Sequence, residues 1–371
     1  MLTVLGLDST CLLWLRIGAG NNGGRFRKTG VYKVHTFGNP SVVVTSTKAC
    51  KKVMTDDEGF NPGWPTATVN LIGRKSFIGI YDEEQKWLRK LTAAPVNGFE
   101  ALTVYMKYIK ENVIVTLDKW ADMGQIELLT ELRRLTFKII MSIFLISESE
   151  HVREALEREY TTLNHGVRAM AINIPGFVYY NALKARKNIV SVLQAVVTKR
   201  REQRRLSRAS AKKVDMMDAL LDAEDENGKT LSDEEIIDIL VMYLNVWHES
   251  SEHTTMWAAL YLHKNPDPFK RAKVIDETLR LVTFSLMVFR EAKKDQCLWD
   301  LHPKQKISYL SVAEADCALE MIFAKLEISI FLHHFLLNYE FEHHNLASPL
   351  MYLPHTRPKD NCLGRIRRSS S

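Results

Sequence analysis

Between Asp82 and His263 apolar residues return every three or four positions with few interruptions, and this pattern commits most of the chain to packed helices. It is clearest over residues 83–91, 100–123, 131–144, 151–171 and 188–205, with Pro175-Gly176 as the strong break and 216–223 as a shorter segment. The longest helix opens at Thr230-Leu231-Ser232-Asp233-Glu234-Glu235. Ser232 caps it, Glu235 completes a capping box, and the acids lie at the positive end of the helix dipole. It runs to about His263 and stops at Asn265-Pro266. Residues 273–282 and 324–337 read as further helices. With 17 glycines and 11 prolines in 371 residues there is little turn material for an all-β fold, and 46% apolar content suffices for one large core. Strand signals are confined to a hairpin over 30–45 turning at Gly38-Asn39-Pro40, an extended 283–289 and a strand or turn at 351–354. The expected fold class is mainly α with a small β region.

The net charge of +6 and the isoelectric point near 8.9 are not gathered around a base-reading motif, so no nucleic-acid partner is expected. The dense run Lys199-Arg200-Arg201, Arg204-Arg205 and Arg208 reads as a solvated helix end, with a membrane-surface or redox-partner contact as the sharper alternative. Cys11, Cys50, Cys297, Cys317 and Cys362 are odd in number, widely spaced and without a CxxC, which argues against a disulfide framework or a zinc site and fits a reducing compartment. Asp8 and Arg16 interrupt the apolar patches of residues 1–24, which read as an atypical N-terminus without a membrane anchor. The apolar, aromatic stretch 173–180 reads as a loop that lines a substrate entrance, touches a membrane peripherally, or simply packs on the core.

Two constellations carry chemistry. Glu277 and Arg280, three apart on one helical face, are able to hold a buried ion pair with a third member. Within the longest helix, Glu249 and Ser250 place an acid beside a hydroxyl, a pairing that relays protons when it faces a pocket and is an ordinary solvated kink when it does not.

The serial order of these features resembles the cytochrome P-450 family of haem-thiolate monooxygenases: Lys86-Trp87-Leu88-Arg89-Lys90, the long helix with its acid-alcohol pair, the Glu277–Arg280 motif, then Phe289-Arg290-Glu291-Ala292. The likeness runs from about Arg25 to Asp295 and from Ala324 to Ile366. Phe60-Asn61-Pro62-Gly63-Trp64-Pro65, Leu71-Ile72-Gly73-Arg74-Lys75-Ser76-Phe77, Leu91-Thr92-Ala93-Ala94-Pro95-Val96-Asn97-Gly98 and Tyr352-Leu353-Pro354-His355-Thr356-Arg357-Pro358 are similar to the plant ent-kaurenoic acid oxidases.

The resemblance implies a cytochrome P-450 fold and haem as cofactor. Arg89 and Arg290 would pair with the haem propionates, Glu277 and Arg280 would support the proximal side, and Glu249 and Ser250 would be the catalytic acid and alcohol beside the oxygen-binding groove. Substrate would meet Trp64, Phe77, Val246, Trp247, Phe284, Leu286 and Met351, with Arg74 or Arg168 for a carboxylate. It further implies a diterpenoid acid as the small-molecule substrate, stepwise oxidation of ent-kaurenoic acid in gibberellin biosynthesis, a flavin-containing NADPH-cytochrome reductase as electron donor, and the endoplasmic reticulum membrane as location, with a cytoplasmic or peripheral place as the alternative for a chain read without an anchor.

Three departures from the family pattern stand out. The Phe-x-x-Gly-x-x-x-Cys-x-Gly loop that carries the iron-ligating thiolate is not found before Ala324-Lys325-Leu326-Glu327; Cys317 is a weak metal-ligand candidate, with Leu310, Ala313 and Leu319 where Phe and the glycines belong. Val246 and Trp247 stand where the family has a small residue and Gly, which make room for haem and dioxygen. Blocks are missing at 273/274 and within 296–323. The chain is therefore read as a single incomplete cytochrome P-450-like domain over 25–366 with a basic, serine-rich tail at 367–371. The alternatives to an active oxidase are a catalytically inactive remnant and a haem-free helical protein that binds diterpenoids.

Overall fold

The computed structural model describes residues 2–5, 31–36, 39–44, 47–206, 215–264, 278, 287–293, 318–345, 348–351 and 356–369. The strands are β1 (Leu2–Leu5), β2 (Val31–Thr36), β3 (Asn39–Val44), β4 (Phe60–Pro62), β5 (Ile126–Glu127), β6 (Met287–Ala292), β7 (Tyr339–His343), β8 (Leu350–Met351), β9 (Arg357–Pro358) and β10 (Leu363–Arg368). The helices are α1 (Thr47–Thr55), α2 (Thr66–Ile72), α3 (Asp82–Asn97), α4 (Phe99–Asp122), α5 (Leu128–Phe144), α6 (Glu150–Val167), α7 (Val178–Leu206), α8 (Met216–Leu221), α9 (Asp233–Lys264) and α10 (Ala318–Asn338). They form two compact units, Met1–Pro65 with Asp276–Ala318 and Thr66–Ile275 with Leu319–Ser371.

The first unit is built on a five-stranded sheet in the order β2-β3-β1-β6-β4. The hairpin expected from the sequence is present, β2 running antiparallel to β3 with Val31 opposite Val44 and Thr36 opposite Asn39. Ala49, Cys50, Val53 and Met54 of α1 bury against Val44 and Phe60. Gly63 follows β4 so closely that a β-carbon there would lie 2.6 Å from the Arg290 carbonyl carbon, and its amide donates to the Phe289 carbonyl at 2.8 Å.

The second unit is helical, with a three-stranded sheet ordered β5-β10-β7 and the short β8–β9 pair. Its core draws on almost every helix, and α9 is apolar and largely buried over 236–244 and 256–262, apart from Asp238, with a mostly buried polar run, 248–255, between the two stretches. The capping box forms as read: the Ser232 amide donates to Glu235 at 2.8 Å and the Glu235 amide to the Ser232 hydroxyl at 3.3 Å. Helices α6 and α7 approach closely at Gly166, where a β-carbon would fall 2.0 Å from the Ala182 methyl.

Several boundaries differ from the sequence reading; α3 runs on to Asn97 rather than ending at 91, and α6 ends at Val167 rather than 171. Helix α7 begins at Val178 rather than Asn188, because Tyr179, Ala182, Ala185 and Ile189 continue its buried stripe back toward Gly176, whose φ of 93° ends the preceding turn. Helix α10 begins at Ala318 rather than Ala324. The basic run on α7 is only partly a solvated end: Lys199 and Arg205 are exposed, and Arg208 lies outside the described residues. Arg200 is buried between Glu148, Asp215 and Asp218, Arg201 pairs with Asp233, and Arg204 pairs with Asp218 and Asp222. Residues 273–277 and 279–282 of the expected helix, and 283–286 of the expected strand, lie outside the described residues.

Candidate functional site

The acid-alcohol pair sits mid-way along α9, and its two members turn to different partners. Glu249, 4% exposed, is ion-paired with Arg168 at the end of α6 and accepts a hydrogen bond from the Asn164 amide at 2.8 Å. Burial pulls the Arg168 guanidinium down to about 10. The Ser250 hydroxyl donates back along its own helix to the Val246 carbonyl at 2.7 Å and the Trp247 carbonyl at 3.3 Å.

A second cluster, which the sequence reading did not single out, lies one turn on. Glu252 is fully buried and receives the Arg133 guanidinium of α5 in a two-pronged contact at 3.0 and 3.1 Å. Its neighbours are His253, whose Nδ1 is 3.3 Å away, and His248, whose Nε2 donates to the Arg133 carbonyl at 3.1 Å. Burial acts to raise the Glu252 carboxyl, but the His253 contact and the cationic surroundings win and hold it at about 2. Burial lowers His248 below the ordinary imidazole range. From α10, Glu327 enters the same seam beside Ser251 and Thr136, and burial pushes its carboxyl up to about 8. Arg133 and Glu252 are 119 positions apart, and no local signal joins them.

Trp247 is fully buried and lies in an aromatic ladder. Its ring stacks on Phe323 of α10 with centroids 4.2 Å apart and planes at 25°, and on Tyr243 at 4.9 Å and 28°, with Phe144 of α5 at 5.7 Å. Its indole N–H has no acceptor among the described residues. Val246 packs half-buried against the same core. Phe77 is buried and meets Tyr243 edge-on at 6.1 Å, and the half-buried Arg89 lies over the Phe77 ring at 5.0 Å. Met351 is exposed on β8. Arg74 lies on the surface with its guanidinium on Asn70 at 2.9 Å.

In the first unit, Trp64 meets Phe289 at 5.4 Å. Arg290, 2% exposed, pairs with Asp57 at 2.6 Å and donates to the Phe60 carbonyl at 3.3 Å. Glu277, Arg280, Phe284, Leu286 and Cys317 lie outside the described residues. Of the described cysteines, Cys50 is buried with its thiol pushed up to about 12 by burial, and Cys362 is buried with its carbonyl accepting the Leu128 amide. Among the described residues there is no group of histidine, cysteine and acidic side chains that would hold a metal ion.

Packed helices with a minor sheet, a long helix carrying an acid-alcohol pair, and a later helix on Ala324-Lys325-Leu326-Glu327 are the features by which the sequence resembles the cytochrome P-450 class of monooxygenases. The cytochrome P450 family profile matches residues 24–273, more than half of the chain, and the chain belongs to that family. It is 51% identical to ent-kaurenoic acid oxidase 1 of Arabidopsis thaliana, over 92% of this chain and 83% of that protein, and 44% identical to cytochrome P450 88A1 of Zea mays, over 94% and 80%. The fold is similar to that of the retinoic acid-bound cyanobacterial CYP120A1, with a TM-score of 0.75 at 19% identity and 96% of each chain covered. The Arabidopsis match extends over 409 positions, more than the 371 residues of the chain, so it includes internal gaps.

Haem is the cofactor of this family, with a small-molecule substrate and a reductase as partner. The described residues do not fit the macrocycle. It would lie between the groove at Val246 and Trp247 and the segment just before Ala324, where Trp247 and Phe323 are in contact. A flat macrocycle needs about 3.5 Å to each neighbouring ring, hence about 7 Å between them, against the 4.2 Å observed. Beside this stack, the space bounded by Phe144, Tyr160, Leu240 and Leu244 amounts to about 10 Å³, room for a single water at most.

Proposed function

We propose that this chain is of the ent-kaurenoic acid oxidase branch, whose reaction is the stepwise, haem-dependent oxidation of ent-kaurenoic acid in gibberellin biosynthesis. The observation that carries this reading is 51% identity to an ent-kaurenoic acid oxidase over 92% of the chain. A flavin-containing NADPH-cytochrome reductase is the electron donor, and the endoplasmic reticulum membrane is the location; among the described residues no helix is long and apolar enough to cross a membrane. The blocks missing near 273/274 and within 296–323 account for a 409-position match to a 371-residue chain. Arg89 and Arg290 are the proposed propionate partners and Glu277 and Arg280 the proposed proximal support. Glu249 and Ser250 are the proposed acid and alcohol. Trp64, Phe77, Val246, Phe284, Leu286 and Met351 are the proposed substrate contacts.

The test is the haem content and reduced carbon monoxide difference spectrum of the purified chain, followed by product analysis with ent-kaurenoic acid, NADPH and reductase. One haem per chain, a thiolate-type Soret band and oxidised diterpenoid support the reading; product-free incubation of a haem-loaded chain defeats it.

One observation favours a second reading. The Trp247 and Phe323 rings stack at 4.2 Å in the place that the family resemblance gives to the macrocycle, which favours a haem-free relative that retains at most diterpenoid binding. A rise in unfolding temperature with ent-kaurenoic acid in the absence of haem distinguishes this from an inert remnant.

A further inference from the structure

We propose that Trp247 is the core filler of this chain: its indole takes the space between α9 and α10 that a prosthetic group takes elsewhere in the family, so that the chain folds and is stable without one. The inference rests on family membership and not on the identity of the substrate.

Three features converge. Trp247 stacks with two rings, Tyr243 one turn earlier on α9 and Phe323 on α10, at 4.9 and 4.2 Å. Such offset stacks add stabilisation beyond the area they bury. Both Trp247 and Phe323 are completely shielded from solvent, and Phe144 closes the edge of the stack, so the two helices meet through matched rings. Finally, an unpartnered buried indole N–H is unfavourable, and the chain tolerates one at this position. A ring that keeps such a group in the core is retained for its volume and its faces, not for hydrogen bonding. A residue with these contacts is not a gate that swings aside cheaply, because its withdrawal would leave a cavity lined by Tyr243, Phe144 and Phe323.

The experiment compares the parent chain, Trp247→Ala and Trp247→Phe, each expressed with haem precursor supplied. The parent is expected to purify with well under one haem per chain, to unfold cooperatively, and to show no change in midpoint on adding haemin. Trp247→Ala should unfold several degrees lower and lose near-ultraviolet circular dichroism from the coupled rings. Saturating indole should restore part of the midpoint to Trp247→Ala and leave the parent unmoved, as expected for a ligand filling the vacated space. If Trp247→Ala does not fold, Trp247→Phe serves instead, with a weakened ring-coupling signal at unchanged helical content.

Stoichiometric haem with a Soret band in the parent overturns the proposal, as does a Trp247→Ala chain with the midpoint and ring signal of the parent. Ent-kaurenoic acid separates this inference from the substrate reading. Haem-free folding with ligand stabilisation upholds both this inference and diterpenoid binding. Haem-free folding without ligand stabilisation upholds this inference and defeats the diterpenoid reading.

Discussion

The Arg168 guanidinium is ion-paired with the Glu249 carboxylate, and the same carboxylate takes the Asn164 amide at 2.8 Å, so the acid of the acid-alcohol pair ties α6 to α9. Removing one member of a buried pair strands the other charge. Arg168→Met is expected to cost about 3–5 kcal/mol in urea unfolding. The double variant Arg168→Met with Glu249→Met should recover most of the loss. Additive losses in the double-mutant cycle would mean that the two residues are not coupled.

The seam carrying Glu252 and Glu327 sets opposing pH dependences. Glu327 holds its proton in the folded state up to about 8, against about 4.3 for a free carboxyl. Its contribution is therefore complete below the free value and lost as pH rises through 8. Glu327→Gln should flatten stability between pH 5 and 8 and stabilise the chain at pH 8. Glu252, held at about 2, contributes above the free value and loses that contribution as pH falls toward 2, so Glu252→Gln should destabilise most at neutral pH. Thermal unfolding of both variants across pH checks the two signs.

Gly73 closes α2 with φ of 141°, and a β-carbon there would lie 2.3 Å from the Asp238 side-chain carboxyl carbon. Asp238, 2% exposed, receives the Lys75 amide at 2.8 Å and pairs with Arg186 of α7. Gly73→Ala combines backbone strain with displacement of that carboxylate, for an expected loss of about 2 kcal/mol or more. Chemical denaturation beside Arg74→Ala, a surface substitution expected to change stability by less than about 0.5 kcal/mol, is the comparison.

The Cys50 thiol is buried beneath β3 with its proton held to about 12, and it lies 3.5 Å from the Val44 carbonyl. Because the thiolate is the reactive form, Cys50 should resist iodoacetamide at pH 8 in the folded chain and react at the ordinary thiol rate once unfolded. Peptide mapping of labelled sites gives the answer. Labelling of Cys50 under native conditions would show that the α1 packing opens readily.

Helices α1 and α2 were not read, whereas helices α3 to α10, the Ser232–Glu235 cap, the β2–β3 hairpin, the family and the adjacency of Glu249 and Ser250 were legible in the chain itself. Each is written in spacings of four residues or fewer, or in short contiguous motifs, and backbone hydrogen bonding acts over that range. Periodicity also announced the long helix that becomes α9, and gave no sign of what would pack against it. Asn164 meeting Glu249 across 85 positions, Arg133 meeting Glu252 across 119, and Trp247 closing on Phe323 depend on how helices rotate and slide against one another. Local spacing states which face of a helix is apolar, while side-chain volumes at every crossing decide which faces meet. Tertiary packing alone therefore assigned Glu249 a structural partner, placed a protonated carboxyl beside an ionised one, and turned the Trp247 ring from a predicted obstruction into the centre of an aromatic core.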